Sequence, residues 1–288
     1  FCIVNGENSA SGRGLRRKEY DEIISYGADI ITMGNHMYYR KEMASEYAKL
    51  KRLAIPANLT NLVGNKSVLV EKNGVKVGVI NLLGTFAIGD MLEKNLKNPF
   101  EVVTDEINKL KENKADYIFI DFHAEATAEK IAMGYFLEDK VNCVYGTHTH
   151  VQTSDERILD SGMAYITDVG MTGPRDSVLG LKKEIAVERF TTGKFIHYEC
   201  SQNEAIFNAI EVEFDDNTKK AISIKRINEE EDLTGILDEK SKNAKREIWL
   251  ISNNIRTAKK MQLDLLSQCK KTRKLYIETL KESIQYSL

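Results

Sequence analysis

Hydrophobic positions along the chain keep two rhythms. Short apolar runs of strand length occupy residues 1–4, 30–33, 117–122, 141–145 and 163–167, several of them closed by glycine or by a polar cluster. Between them lie longer stretches with helical spacing, at residues 15–26, 40–53, 100–111, 126–137 and 182–190. Gly27 caps the first of these, and Ile55-Pro56 ends the second. Two segment pairs predict antiparallel hairpins: residues 67–70 with 75–80 around Asn73-Gly74, and 206–214 with 221–227 around Asp215-Asp-Asn217. Residues 85–99 read as an irregular loop. Alternating strand and helix with interspersed hairpins predicts a mixed α/β sandwich.

The last part of the chain differs in kind. After the acidic run Glu229-Glu-Glu-Asp232, residues 243–286 contain neither glycine nor proline, and Ile255, Ala258, Leu265, Leu266, Cys269, Tyr276, Leu280 and Ile284 recur at helical spacing. A body over residues 1–227, an acidic linker over 228–242 and a basic amphipathic helical tail over 243–288 are therefore expected. Trp249 would anchor that tail against the body or against a sister chain, leaving a homo-oligomer through tail or body open.

Composition sharpens this division. The formal charge of −2 hides 11 Lys and Arg against 4 Asp and Glu in residues 241–288, a net of +7, leaving −9 on the rest. An acidic body offers no extended basic surface, so strong nucleic-acid binding there is not expected. No apolar run reaches membrane-spanning length, so no membrane partner is expected. The four cysteines are scattered without a C-x-x-C pair, and are read as reduced thiols of a cytoplasmic protein, with Cys143 packed in the core.

Histidine placement carries the chemistry. Of five histidines, His36, His123, His148 and His150 each sit where an expected strand meets a loop, and only His197 does not. In open α/β sheets the carboxyl ends of strands are where ligands bind. The run Val144-Tyr-Gly-Thr-His-Thr-His150 is expected to end its strand at Gly146 and to point two imidazoles, spaced i, i+2, to one side of an extended segment. Glu7 follows an apolar strand too and is a candidate bridging carboxylate. Asn35 can ligate through its amide oxygen, and His123, His148 and His150 offer imidazoles. Mixed oxygen and nitrogen donors suit Mn, Fe or Zn, and two such ions would polarise a phosphoryl group and lower the pKa of a bridging water, so that a metal-bridging hydroxide attacks. His36, beside Asn35, is the candidate general acid.

Longer stretches carry a resemblance. Asn5-Gly-Glu-Asn8, Gly34-Asn35-His36, Asp121-Phe-His-Ala-Glu-Ala-Thr127, Gly146-Thr-His-Thr-His-Val-Gln-Thr153, Ile166-Thr-Asp-Val-Gly-Met-Thr-Gly-Pro174 and Asp176-Ser-Val178 stand in the order found in one family. Residues 1–227 resemble the YmdB-like branch of the calcineurin-like metallophosphoesterases. The resemblance implies a four-layer α/β/β/α sandwich, a dinuclear centre and phosphodiesterase activity, including on cyclic nucleotides. By position, Glu7 resembles the bridging ligand and Asn8 a nearby ligand or phosphate contact. Asn35, His123 and His148 resemble the ligands of one ion, His150 a ligand of the other, and His36 the acid. Asp168 and Thr172 lie in matching stretches, with turn stabilisation as their expected role. Two departures bear on function. The family opens with a strand ending in a metal-binding Asp, and this sequence starts beyond it, so a central sheet position is expected to be empty. Met37-Tyr-Tyr39 also replaces the family's usual Thr-Trp-Asp after Gly-Asn-His. A phosphodiesterase is the leading expectation. A catalytically impaired regulatory or interaction module, and a phosphomonoesterase assisted by Arg175, are the alternatives.

Overall fold

A computed structural model describes residues 1–86, 88 and 95–229, and the backbone of 247–251. Among the described residues thirteen strands form two sheets. The first contains β1 (Cys2–Asn5), β2 (Ile30–Thr32), β3 (Leu53–Ala54), β10 (Gly173–Pro174), β11 (Ala205–Phe214), β12 (Ala221–Glu229) and β13 (Glu247–Ile251), running in the order β10-β11-β13-β1-β2-β3 with β12 also on β11. The second contains β4 (Ser67–Lys72), β5 (Val75–Leu83), β6 (Tyr117–His123), β7 (Cys143–Thr147), β8 (Arg157–Ile158) and β9 (Ala164–Ile166), in the order β4-β5-β6-β7-β9-β8. Both predicted hairpins form, β4 with β5 and β11 with β12.

Strand periodicity builds the layers. Ile3, Ile30, Val77, Val79, Tyr117, Phe119, Cys143, Tyr145, Ile210 and Val212 fill the space between the sheets. Their chain neighbours face outward. Cys2, Val4 and Ile31 pack under α1 (Arg17–Ser25) through Tyr20 and Ile23. Ile118, Ile120, Phe122 and Val144 pack under α2 (Pro99–Glu112) and α3 (Thr127–Leu137) through Val103, Ile107, Leu110, Met133 and Leu137. The result is a four-layer α/β/β/α sandwich. Asn98 caps α2, its side chain accepting from the Phe100 amide at 3.0 Å with Pro99 in the first turn. A fourth helix, α4 (Lys183–Thr192), lies beyond β10 and ends at Gly193 with φ +68°.

Four expectations are corrected. Residues 40–53 are not an α-helix. Three short 3₁₀ segments, Asn35–Tyr39, Lys41–Met43 and Tyr47–Lys49, bury Met37, Met43 and Tyr47 instead. Gly146 lies inside β7 rather than ending it, because its missing side chain lets the strand approach the Thr167 carbonyl. The central sheet position expected to be empty is filled: β13 runs parallel to β1, with Ile3 opposite Leu250, and antiparallel to β11, with Ile210 opposite Leu250. Residues 247–251 are therefore strand where the helical tail was expected, in keeping with the β-preferring Ile-Trp-Leu-Ile run. The rest of the tail and the linker after residue 229 lie outside the described residues. Among the described residues no helix is long and apolar enough to cross a membrane.

Candidate active site

Side-chain alternation continues past the apolar core and turns polar at the carboxyl ends of the strands. On the inward face of β6, Tyr117 and Phe119 are followed by Asp121 and His123, and on β7 Cys143 and Tyr145 are followed by Thr147. On β1 and β2, Ile3 and Ile30 give way to Asn5 and Thr32. These four strands therefore aim polar groups at one point. Asp121 Oδ2 accepts from Asn5 Nδ2 (3.1 Å) and Thr32 Oγ1 (2.5 Å), and Asp121 Oδ1 accepts from Thr147 Oγ1 (2.6 Å). Burial raises the Asp121 carboxyl above its usual range, an effect opposed by His123 and by these donors.

Above this layer the seven sequence-predicted site residues meet in one connected group. Glu7 is at its centre, with Oε2 2.5 Å from His123 Nε2 and Oε1 2.8 Å from His36 Nδ1. His123 Nε2 also lies 2.9 Å from Asn35 Oδ1 and 3.0 Å from His148 Nδ1. Asn8 joins the remaining two, its Oδ1 2.7 Å from His36 Nδ1 and its Nδ2 3.4 Å from His150 Nε2. His36 thus touches both Glu7 and Asn8 as well as adjoining Asn35. His197 is exposed and stacks edge-on with Phe195, away from the group.

The two histidines after β7 do not lie on an extended segment. His148 has φ +102° and His150 φ +66°, both in a region that costs an L residue about 1–3 kcal/mol. The turn sends them apart, His148 toward His123 and Glu125, and His150 toward Asn8. Asp168 holds the turn by accepting from the Thr149 amide (3.1 Å) and the Gly170 amide (2.8 Å), and it pairs with the buried Lys130 ammonium at 2.6 Å.

Electrostatics keep the group in donor form. Burial lowers the His148 imidazole to about 3, assisted by neighbouring His123, so this ring is neutral near pH 7. Burial alone would raise Glu7, but His123 and His36 beside it hold its carboxylate well below the usual range. Glu7 Oε2 is buried and in hydrogen-bond geometry with no donor among the described residues. Gly34 closes over it: a Cβ there would lie 1.8 Å from Glu7 Oε2 and 2.4 Å from the His123 ring.

A family model described as YmdB-like protein matches residues 1–227. The chain belongs to the YmdB-like family. Among its relatives, the 2′,3′-cyclic-nucleotide 2′-phosphodiesterase of Bacillus subtilis (strain 168) is 42% identical over 228 residues, covering 79% of this chain and 84% of the relative. A putative phosphatase/phosphodiesterase of Mycoplasma pneumoniae is 39% identical, covering 81% and 83%. Of solved structures, a novel phosphatase of Mycoplasma pneumoniae superposes with a TM-score of 0.71 at 38% identity, covering 79% of this chain and 81% of that one. A hypothetical protein of Thermus thermophilus gives 0.70 at 33% identity, covering 79% and 86%. As a YmdB-like protein the chain is an enzyme, a phosphoesterase of metallophosphoesterase fold.

Membership of the YmdB-like family implies divalent metal ions. The donor set fits: an ionised, buried carboxylate, an amide oxygen, imidazoles, and a glycine leaving them room. As they stand, the donors touch one another at 2.5–3.0 Å, closer than the roughly 3.3 Å edge around a tetrahedral ion. Among the described residues no group of three or more His, Cys, Asp or Glu side chains has metal-holding spacing. The sequence reading missed Asn5, Thr32, Asp121, Thr147, Gly34, Lys130 and Glu125. A carboxylate within the apolar run Ile118-Phe-Ile-Asp121 was the available signal for Asp121, since an unpaired charge would not be placed there.

Proposed function

We propose that this chain is a metal-dependent phosphodiesterase acting on cyclic nucleotides or similar small phosphodiesters. Glu7, Asn8, Asn35, His123, His148 and His150 would hold two divalent transition-metal ions, Fe, Mn or Zn, and His36 would be the general acid. The meeting of seven candidate side chains, from segments far apart in the chain, in one connected group with the Glu7 carboxylate between His36 and His123 is the observation that carries this reading. The name of the Bacillus subtilis relative supports the substrate class.

Bound metal ions would polarise the phosphoryl oxygens and make a nucleophile of water at neutral pH. The chain's own residues do the rest. Glu7 can reach two neighbours at once through its two oxygens, which suits a bridge. His36 has an open side, 29% exposed, so a leaving alkoxide can approach its ring. Its Nδ1 is engaged by Glu7 and Asn8, which leaves Nε2 to carry the proton outward.

The test loads the purified chain with Mn²⁺ and compares a 2′,3′-cyclic nucleotide with a phosphomonoester. The diester should turn over faster by at least tenfold. His36→Ala should lose turnover by roughly 10²–10⁴-fold while elemental analysis finds its metal content unchanged. Preference for the monoester would overturn the substrate class, and an active His36→Ala would overturn the acid.

A further inference from the structure

We propose that Asp121 and Thr147 form a positioning pair that fixes the orientation of the His123 ring, with a proton on Nδ1 and Nε2 as the atom turned toward Glu7. The inference deepens the proposed metal-dependent reading but is built from hydrogen-bond directions within the protein.

The chain of donors starts at Asn5. Its Oδ1 accepts from the Glu7 amide at 3.2 Å, so its Nδ2 is the atom facing the Met33 carbonyl (3.0 Å) and Asp121 Oδ2 (3.1 Å). Flipping this amide would set its oxygen against two acceptors and its NH₂ against an N–H. Thr32 donates to the same carboxylate oxygen. Asp121 is thereby an acceptor on that side. On the other side Thr147 Oγ1 gives its single proton to Asp121 Oδ1 at 2.6 Å. The Thr147 oxygen can then only accept from His123 Nδ1, 2.9 Å away. All five side chains are buried, Asp121 fully and His123 to 2% exposure, so water cannot substitute for a lost partner.

The arrangement also follows from strand register. Asp121 and His123 are two residues apart on one face of β6, and Thr147 is opposite His123 on β7. The hydroxyl therefore stands between the carboxylate and the ring, and holds the ring plane as well as its proton. His148 has a looser counterpart: its Nε2 meets the half-exposed Glu125 carboxylate at 3.1 Å, where solvent can replace it.

The experiment compares the full chain with Thr147→Val, which keeps the side-chain shape, and Thr147→Ser, which keeps the hydroxyl. Two-bond ¹H–¹⁵N spectra of the metal-free chain should show a slowly exchanging His123 Nδ1 proton in the parent and in Thr147→Ser, and none in Thr147→Val. Mn²⁺ affinity by calorimetry should fall by roughly 10–100-fold in Thr147→Val and recover in Thr147→Ser. A parent chain without that Nδ1 proton would mean Asp121 is the donor and would overturn the assignment. Thr147→Val that retains both the proton and the affinity would overturn it equally. Should the parent bind no Mn²⁺, the metal reading fails, and the Nδ1 signal alone decides the assignment.

Discussion

Asp168 and Lys130 each expose 1% of their side chains and meet at 2.6 Å. Two charges so placed are expensive to desolvate, and the pair persists because the carboxylate is also saturated by the amides of Thr149 and Gly170. Asp168→Asn would leave the Lys130 ammonium buried without a counter-charge. Urea unfolding should show a loss of about 3–5 kcal/mol, and Lys130→Met with Asp168→Asn should recover part of it. A loss under about 1 kcal/mol, the range of exposed pairs, would mean that the pair is not buried in solution. The histidines of the site were legible in the sequence because each ends an apolar run. Lys130 was not, since on a helix of expected amphipathic spacing a lysine reads as a solvent face, and its partner is 38 residues away.

Strands explain both what could and what could not be foreseen among the elements. The apolar runs at residues 117–122 and 141–145 predict β6 and β7 because each strand is buried on both faces. Residues 40–53 have helical spacing too, yet fold as 3₁₀ turns around the buried Tyr47, whose hydroxyl donates to the Met37 carbonyl at 2.8 Å. Spacing over three residues does not separate the two helix types. Gly146 is the instructive case. Read as a terminator, it is instead the point where β7 passes closest to its neighbour: a Cβ would sit 1.8 Å from the Thr167 carbonyl and 2.9 Å from the Lys130 side chain. Gly146→Ala must therefore push β7 away from the segment after β9, and a backbone atom cannot rotate aside. A melting experiment should show destabilisation by about 1–3 kcal/mol or more. An unchanged melting temperature would contradict the packing of β7 described above.

At the scale of the molecule, the feature least visible in the sequence is β13. Its apolar run lies in the stretch 243–286, which has no glycine or proline and keeps helical spacing from Ile255 onward. Only the partners beside it, β1 and β11, explain why it is extended. Both neighbours of Leu250 are strands, so its amide belongs to the ladder whichever side it faces. Leu250→Pro removes that donor from a central strand, at about 1–3 kcal/mol for the unmet acceptor alone. Circular dichroism and solubility of the full chain should show partial or complete loss of the folded state. A variant as stable as its parent would mean that β13 is not a central strand.

That placement also sets a timetable for synthesis. Ile3 pairs with Leu250, so β1 must wait for a partner made long after it before its sheet closes. At about 5–20 residues per second, the interval is roughly 10–50 s. During it the flank of β1 that β13 will occupy offers unpaired backbone to any passing strand, joined near its end by the flank of β11. The nascent chain therefore depends, for that interval, on whatever shields such edges at the ribosome.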